Sequence, residues 1–262
     1  MKERDESIVK YVEKRGFATA DELAQQLGVS AITIRRDLQR LSELERIQKV
    51  HGGAVPVGRA SPSVLNISAR MEAQIEEKRA IAGYAAGLVS RSEKLFLDAG
   101  SSCYYLAEAL SEDLDLVVIT HSLDNFNVLR SKSGIKIIGL GGEYEAKLNA
   151  FVGPLVEKQL SGFRADRAFV GAMSIDLDRG ACDDTSVERA VKNHMSANAT
   201  ESYVLADSSK FHKISVFNSI KLSDLKTVVT TSLAPRDKIE ALEARGVRIV
   251  VVDVEGAEAP AP

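Results

Sequence analysis

The sequence has 262 residues, of which 45% are hydrophobic and 27% are charged, and its formal net charge is -3. This composition fits one or two globular domains with a substantial core, and it excludes a protein that is basic throughout and coats nucleic acid. Cys103 and Cys182 form no CxxC pair and no disulfide framework, which favours a reducing cytoplasm. The charged start predicts no signal peptide, and no apolar run reaches the roughly 18 residues of a membrane span.

Three short helical patterns follow one another at the start of the chain. Residues 5–15 form the first, and Thr19 with Glu22 three residues later forms a capping box for the second. Gly28 supplies a turn, and Ser30 is the predicted N-cap of the third helix. Two helices joined by a short turn that contains Gly predict a helix-turn-helix.

The third helix, "SAITIRRDLQRL", is amphipathic with a basic outer side. Ile34, Leu38 and Leu41 recur at helical spacing and predict the buried side. The polar residues that we assign to DNA contact are Ser30, Thr33, Arg35, Arg36, Gln39 and Arg40. Arg pairs with guanine edges and Gln with adenine, whereas hydroxyls bind phosphate. We place Asp37 as a brace for a neighbouring arginine or amide. The alternatives are a solvated helix face and a protein-interaction module.

A short hairpin and a linker follow the third helix. "RIQKVHGGAVPV" predicts a wing, to which Lys49 and His51 add DNA contacts. "GRASPSVLNIS" is rich in Gly, Pro and Ser, which is typical of a linker. The predicted domains are a winged helix-turn-helix at 1–57, a linker at 58–68, a larger domain at 69–253 and a disordered tail at 254–262.

The rest of the chain alternates apolar strands with helical patterns. Candidate strands lie at 94–98, 116–120, 135–140, 166–171, 202–207, 227–231 and 248–253. Several are apolar almost throughout, which is typical of strands covered on both faces. The alternation predicts an α/β domain with a mainly parallel sheet.

Polar residues follow several of these strands. Asp98 ends a buried strand, and Gly100, Ser101 and Ser102 make a turn into a helix whose dipole favours an anion. Ligands of parallel sheets bind beyond the carboxyl ends of the strands. The other strand ends carry Thr120, His121, Ser122, Gly141, Gly142, Glu143 and Lys210. Plain helix caps are the alternative interpretation of such turns.

The recognition helix, from Ser30 to Leu38, and the wing "VHGGA" resemble the DeoR family of bacterial repressors. The resemblance continues to about residue 253 through D-x-G-[ST]-[ST], T-x-S, G-G-E, F-V-G-A and A-D-S-S-K. It implies a sequence-specific repressor of a sugar operon, with an effector domain that is similar in fold to ribose-5-phosphate isomerase and binds phosphorylated sugars.

The resemblance implies that the polar strand ends line the effector pocket. We predict these effector-binding residues: Asp98, Gly100, Ser101, Ser102, Thr120, His121, Ser122, Gly141, Gly142, Glu143 and Lys210. The sequence departs from the family pattern at three places. Ser101-Ser102 replaces Thr-Thr, His121 replaces Asn, and Met173-Ser174 replaces Asp-Gly.

The alternative function is an isomerase-like enzyme that carries a DNA-binding unit. Its candidate bases are Asp98, Glu143, Asp183 and Asp184, although "CDDT" is more typical of a loop or helix cap. The four histidines are isolated, with no paired ligand spacing, so we predict no metal site. We also predict no cofactor and no catalytic residue. A third alternative, a purely structural interaction protein, does not explain both the arginine helix and the polar strand ends. We expect a cytoplasmic homo-oligomer, dimer or tetramer, that binds double-stranded operator DNA and a phosphorylated sugar but no membrane.

Overall fold

The computed structural model describes residues 2–15, 18–44, 46–50, 53–56 and 67–254. The chain forms two compact units, Met1–Leu65 and Asn66–Pro262. The helix Ile67–Glu72 begins inside the segment that we predicted as a linker. The other domain limits stay predictions. Across the described ranges, no helix is both long enough and apolar enough to cross a membrane.

The first unit contains three helices and a small antiparallel sheet. Its elements are α1 Lys2–Arg15, β1 Ala18–Thr19, α2 Ala20–Leu27, α3 Ala31–Glu43, β2 Ile47–Val50 and β3 Gly53–Pro56. β2 and β3 pair antiparallel, which confirms the predicted wing. β1 was not predicted: Ala18 pairs with Ala54, so that the chain before α2 adds a third strand.

The interior of this unit follows the predicted helical spacing. Leu23 of α2 and Ile34, Leu38 and Leu41 of α3 are buried in one apolar cluster. Ser30 caps α3, because its hydroxyl accepts a hydrogen bond from the Thr33 amide at 3.2 Å. Both features confirm the predictions. The side chain of the predicted cap at Thr19, however, lies outside the described part.

The second unit is built on a seven-stranded sheet. Its strands are β4 Lys94–Leu97, β5 Leu116–Thr120, β6 Ile135–Gly139, β9 Ala165–Gly171, β12 Ala199–Leu205, β14 Thr227–Thr231 and β15 Arg248–Val252. They lie in the order β15-β14-β12-β9-β4-β5-β6, and every neighbouring pair is parallel. The predicted α/β class and all seven predicted strands are therefore confirmed.

Helices cover both faces of this sheet. They are α4 Ile67–Glu72, α5 Ile75–Gly87, α6 Ser101–Ala109, α7 Leu123–Leu129, α8 Pro154–Ser161, α9 Ser186–Ala197 and α10 Arg236–Glu243. Neighbouring residues of β4 belong to different apolar clusters on the two faces of the sheet. Leu95 is in the cluster that contains residues of α5 and α6, whereas Phe96 is in the cluster that contains residues of α8 and α9. Burial on both faces explains why these strands are apolar without alternation.

Two smaller sheets were not predicted. β7 Glu143–Glu145 pairs with β8 Ala150–Val152, and β11 Gly180–Asp183 lies between β10 Ser174–Asp176 and β13 Phe217–Lys221. Most of these strands are only three or four residues long, so they show little of the periodicity that identifies a strand. The first two residues of "CDDT" thus belong to a strand, and its threonine, Thr185, is the N-cap of α9.

Candidate functional site

The outer side of α3 is basic and solvent-exposed. Arg35 and Arg36 are both exposed, and Gln39 is exposed one turn later. The hydroxyls of Ser30 and Thr33 lie 2.9 Å apart at the start of the helix. Ile32 is 65% exposed beside them, an apolar residue that we did not single out. The sequence could have indicated this exposure, because Ile32 does not share the helical spacing of the buried residues Ile34 and Leu38.

Arg40 lies on the same helix but faces α1. Its guanidinium donates two hydrogen bonds to the Asp5 carboxylate, at 2.8 and 2.6 Å, and one to Asp37 at 3.1 Å. Asp37 also accepts a bond of 2.7 Å from Arg4. These contacts confirm that Asp37 braces arginines. The same contacts hold α3 against α1. The guanidinium of Arg40, a predicted DNA-contact residue, is therefore paired with carboxylates within the protein.

The two wing residues that we assigned to DNA contact are less fully defined. Lys49 belongs to β2, but its side chain is not described, and His51 lies outside the described residues. Their contact with DNA stays a prediction.

The second unit has a cleft at the point where its strand order reverses. From β4 the chain proceeds to β5 and β6 on one side and then returns to β9 on the other side of β4. Loops after β4 and β9 therefore separate and leave a crevice, which is where open α/β sheets bind ligands. The cleft is lined by Arg70, Ala99, Gly100, Ser101, Ser102, Gly171, Ala172, Met173, Lys192 and Lys210. Its cavity volume is about 20 Å³, and the figure rises to about 310 Å³ when the open solvent at its mouth is included.

The lining combines helix-start amides, hydroxyls and cations. Ser101 and Ser102 precede the first i→i−4 bond of α6, which runs from the Tyr104 amide to the Gly100 carbonyl. Lys210 projects from the turn Ser208–His212, and Lys192 comes from α9. Together with Arg70, these cations and the positive end of a helix favour an anion.

Asp98 lies beneath the cleft as the centre of a buried polar network. Its Oδ2 accepts a hydrogen bond from the Gly171 amide at 3.0 Å and lies 3.6 Å from the Lys192 ammonium. Its Oδ1 lies 3.2 Å from Nε2 of His121. Asp98 thus connects the loops after β4, β5 and β9, and it supports the cleft without being part of its lining.

Lowering the pH should remove stabilisation that Asp98 provides. Burial alone would raise the pKa of Asp98, but Lys192 and His121 outweigh it and lower the pKa from 3.8 to about 2. Because the folded value is the lower one, the stabilisation is complete above about pH 4 and is lost as the pH falls toward 2. The shift corresponds to about 2 kcal/mol.

Urea unfolding of the full-length protein between about pH 5 and pH 2.5 measures this loss. The variant Asp98→Asn has no carboxyl to titrate, so its free energy of unfolding should fall less steeply over that range. Equal slopes for the two proteins would contradict the assignment.

The residues at the end of β5, from Thr120 to Ser122, are absent from the described lining of the cleft. Nδ1 of His121 is 2.7 Å from the Phe151 carbonyl oxygen, and its Nε2 lies 3.1 Å from the Ala99 amide nitrogen. Thr120 accepts a hydrogen bond from the Ser122 amide at 3.2 Å. Ser122 caps α7. All three side chains are occupied within the fold.

The residues after β6 are also absent from the described lining. The Gly141 carbonyl accepts a bond of 2.7 Å from the side chain of Gln159. A Cβ on Gly142 would lie 2.6 Å from the Val152 carbonyl, so close packing requires glycine there. Glu143 is exposed in β7. Of the predicted effector residues, the cleft brings together only Gly100, Ser101, Ser102 and Lys210.

Sequence reasoning missed Arg70 and Lys192. α9 buries Glu188, Val191, Lys192 and Met195, which recur at i, i+3, i+4 and i+7. Two charges within an apolar stripe were therefore a readable signal of a buried ionic site. Arg70 gave no comparable signal, because it follows directly after the predicted linker.

Two of the four candidate bases, Asp98 and Asp183, are engaged in structural contacts. Asp183 is fully buried and accepts hydrogen bonds from Lys192 and, at 2.5 Å, from the hydroxyl of Ser219. Glu143 is exposed and away from the cleft. In the part of the chain that is described, no group of three or more His, Cys, Asp or Glu side chains is arranged to hold a metal ion.

Two family models match the chain. The "DeoR-like helix-turn-helix domain" matches residues 4–59, and the "DeoR C terminal sensor domain" matches residues 73–232. The basic helix α3 lies in the first match, and every lining residue of the cleft except Arg70 lies in the second.

Curated relatives align along nearly their whole length. The L-fucose operon activator of Haemophilus influenzae is 34% identical over 90% of this chain and 94% of its own. The lactose phosphotransferase system repressor of Staphylococcus epidermidis is 32% identical over 91% of this chain and 96% of its own. Among solved structures, ribose 5-phosphate isomerase A of Methanocaldococcus jannaschii has 20% identity and a TM-score of 0.38, and the alignment covers 51% of this chain and 53% of that one.

Proposed function

Because the chain belongs to the DeoR family of transcriptional regulators, we propose that it represses a sugar-metabolism operon and leaves its operator when a phosphorylated sugar binds. One observation carries the proposal: the same chain pairs a recognition helix with two exposed arginines and a sensor unit with a cation-lined cleft. The helix suits base edges and phosphates, and the cleft suits an anionic ligand.

Within the DNA-binding unit, we assign base and phosphate contact to the exposed side of α3. Arg35 and Arg36 leave the apolar stripe near the helix start, where recognition helices contact bases. Ile32 offers an apolar surface for a thymine methyl group. Ser30, Thr33, Gln39 and the wing residues Lys49 and His51 complete the proposed contacts. Arg40 positions α3 through its carboxylate partners.

Replacing Arg35 and Arg36 individually with Ala tests the DNA half of the proposal. Loss of an arginine that reads a base should weaken DNA binding by about 1–3 kcal/mol and relax specificity at one base position. Loss of an arginine that binds phosphate should weaken binding to all DNA sequences and reduce the salt dependence of the affinity. DNA selected by the parent from a random library is the probe, and affinity is measured at two salt concentrations. The exposed Arg91, which precedes β4 in the sensor unit, provides the control Arg91→Ala. Parent-like affinity in both α3 variants would refute the assignment.

We propose a phosphorylated sugar as effector because three cations converge on a small cleft with two serine hydroxyls. A phosphate dianion accepts charge-assisted hydrogen bonds from ammonium, guanidinium and helix-start amides. A panel of pentose and hexose phosphates, tested for release of the selected DNA, identifies the sugar. Release by none of them would count against the sensor assignment without affecting DNA binding.

The direction of regulation needs its own experiment. One relative is named an operon activator and another a repressor. We propose repression here, and a promoter–reporter fusion that carries the selected site measures it. Expression should rise when the gene is deleted; a fall would identify an activator with the same DNA contacts.

We propose that the cleft binds its ligand without converting it. Aldose–ketose isomerisation needs a general base whose pKa lies near the working pH. The pKa of Asp98 lies far below that range, and both Asp98 and Asp183 are held by Lys192. Incubation with sugar phosphates should give no product, whereas turnover would favour the isomerase-like alternative.

The remaining partners are also proposals. A repressor that reads paired half-sites needs at least two recognition helices, so we propose a homo-oligomer, a dimer or a tetramer. We place it in the cytoplasm, where operator DNA is found in bacteria. Sedimentation of the full-length protein measures the oligomer size, and a monomer at micromolar concentration would contradict this part.

A further inference from the structure

Arg70 is a buried arginine whose hydrogen-bonding capacity is largely unused. It projects from α4 into the lining of the cleft and is 8% exposed. Its Nη1 donates to the sulfur of Met173 at 3.2 Å. Its Nε is buried and, among the described residues, has no hydrogen-bond partner. A thioether is a weak acceptor, so a guanidinium with five N–H donors is poorly satisfied here.

The charge of Arg70 also differs from those of the other two cations in the lining. Lys192 lies between two carboxylates, Asp183 and Asp98, and Lys210 lies 3.6 Å from Asp207. Within the described ranges, Arg70 forms no ion pair. Burial raises the pKa of Glu188 above its ordinary value, and the positive charge of Arg70 acts on Glu188 at longer range and partly offsets this by lowering that pKa. Arg70 is therefore the lining cation whose charge remains available to an incoming anion.

The backbone around Arg70 is fixed by groups of the sensor unit. The Ile67 amide donates to the Lys147 carbonyl at 2.9 Å, and the Tyr105 hydroxyl donates to the Met71 carbonyl at 3.0 Å. The ammonium of Lys78 donates to the carbonyls of Arg70, at 2.6 Å, and Ala73. Tyr105 belongs to α6, the helix whose start lines the cleft, so α4 and the cleft are joined by direct contacts.

We propose that Arg70 binds the phosphate group of the effector, exchanging its contact with Met173 for paired hydrogen bonds to phosphate oxygens. The inference rests on the proposed function, because it names a ligand contact within that cleft. Arg70 lies between the two matched segments, 4–59 and 73–232, and thus outside both. It follows the boundary between the two units, at Leu65 and Asn66, by only a few residues.

Because Arg70 lies on α4, close to the boundary between the two units, a ligand bound to Arg70 contacts the segment of chain that leads to the DNA-binding unit. An anion that bridges Arg70 on α4 and the amides of α6 stabilises the docked arrangement of α4. A ligand shifts an equilibrium only through such differential contacts. Binding of the anion and release of DNA should consequently share a dependence on Arg70.

Inorganic phosphate is the probe, and the full-length protein is titrated while its thermal unfolding is followed, with chloride added to constant ionic strength. Arg70→Gln should weaken the apparent affinity for phosphate roughly ten- to hundredfold, as expected for a lost charge-assisted pair of hydrogen bonds. Arg70→Lys, which keeps the charge but loses the fork, should fall between Gln and the parent. Arg91→Gln serves as the matched control and should behave as the parent.

The outcomes separate the two levels of the proposal. A parent that shows no phosphate-dependent stabilisation would overturn both the anion site and the role of Arg70. A folded Arg70→Gln variant that binds phosphate as well as the parent would overturn only the role of Arg70. If that variant fails to fold, Met173→Leu decides, because it removes the competing acceptor and leaves Arg70 in place. Equal or tighter phosphate binding by Met173→Leu supports the exchange, and tenfold weaker binding refutes it.

Discussion

Replacing Ser101 with Asp and Ser102 with Ala should abolish the response to the sugar phosphate. The new carboxylate would lie at the start of α6, where the helix dipole favours a negative charge, so we expect the variant to remain folded. It would occupy the anion position, and the second change would remove a hydroxyl donor. Effectors typically change the affinity of a coupled site by about 5- to 150-fold, and the variant should lose that whole factor.

Operator affinity of the parent and the double variant, each with and without sugar phosphate, gives the result. The matched control is Ser101→Thr with Ser102→Thr, which keeps both hydroxyls at the same buried positions. The control should still release DNA. If the double variant releases DNA at the same sugar phosphate concentration as the parent, the Gly-Ser-Ser turn is only a helix cap.

Replacing Asp98 with Ala should destabilise the sensor unit by about 3–5 kcal/mol, the cost typical of removing one partner from a buried ion pair. Asp98 is the shared partner of Lys192, His121 and the Gly171 amide. Its loss leaves Lys192 with Asp183 alone and the amide of Gly171 unsatisfied. The free energy of unfolding, measured by urea titration at pH 7, should fall by that amount.

A double-mutant cycle separates the charge from the packing. Lys192→Met in the Asp98→Ala background leaves Asp183 without its ammonium partner, so it should lower the stability further. The added loss should be smaller than the loss that Lys192→Met causes in the parent, because the attraction between Lys192 and Asp98 is already absent. Asp124, an acid on α7 outside the cleft lining, provides the control Asp124→Ala, for which we expect a smaller loss. An Asp98→Ala protein as stable as the parent would refute the central role of this carboxylate.

Much of the fold was predictable because its signals are local. The stripe of Ile34 and Leu38 identifies the buried side of α3 from a few neighbouring residues, and the seven apolar runs identify the strands. The caps at Ser30 and Ser122 are equally local. We predicted Ser122 as an effector contact rather than as the cap of α7, because a hydroxyl at the end of a strand can serve either purpose.

The composition of the cleft was only partly predictable, because it depends on strand order. The carboxyl ends of β4, β5 and β6 all carry polar residues, yet the crevice opens between β4 and β9. Thr120 ends β5 and Gly141 follows β6, and both strands lie on the side of β4 opposite to β9, so neither residue lines the crevice. No spacing within the sequence states which strands become neighbours.

The contacts of Arg40 also depend on a neighbour that the sequence spacing does not reveal. Helical spacing places it beside Arg36, and spacing alone cannot show that α1 brings Asp5 to its guanidinium. A side chain on the polar side of α3 thus forms its hydrogen bonds with a residue of α1. Arg70 and Lys192 were missed because they reach the cleft from helices that are distant along the chain.

The strand order also sets a sequence of events during synthesis. Val50 pairs with Gly53 across a tight hairpin, whereas Leu97 must wait for Phe169, which emerges far later in the chain. At ribosomal rates of about 5–20 residues per second, that delay lasts on the order of several seconds. Short-range contacts form first, because they need little loop closure. Each newly made chain is therefore expected to form the short-range contacts of its DNA-binding unit before the β4–β9 crevice exists.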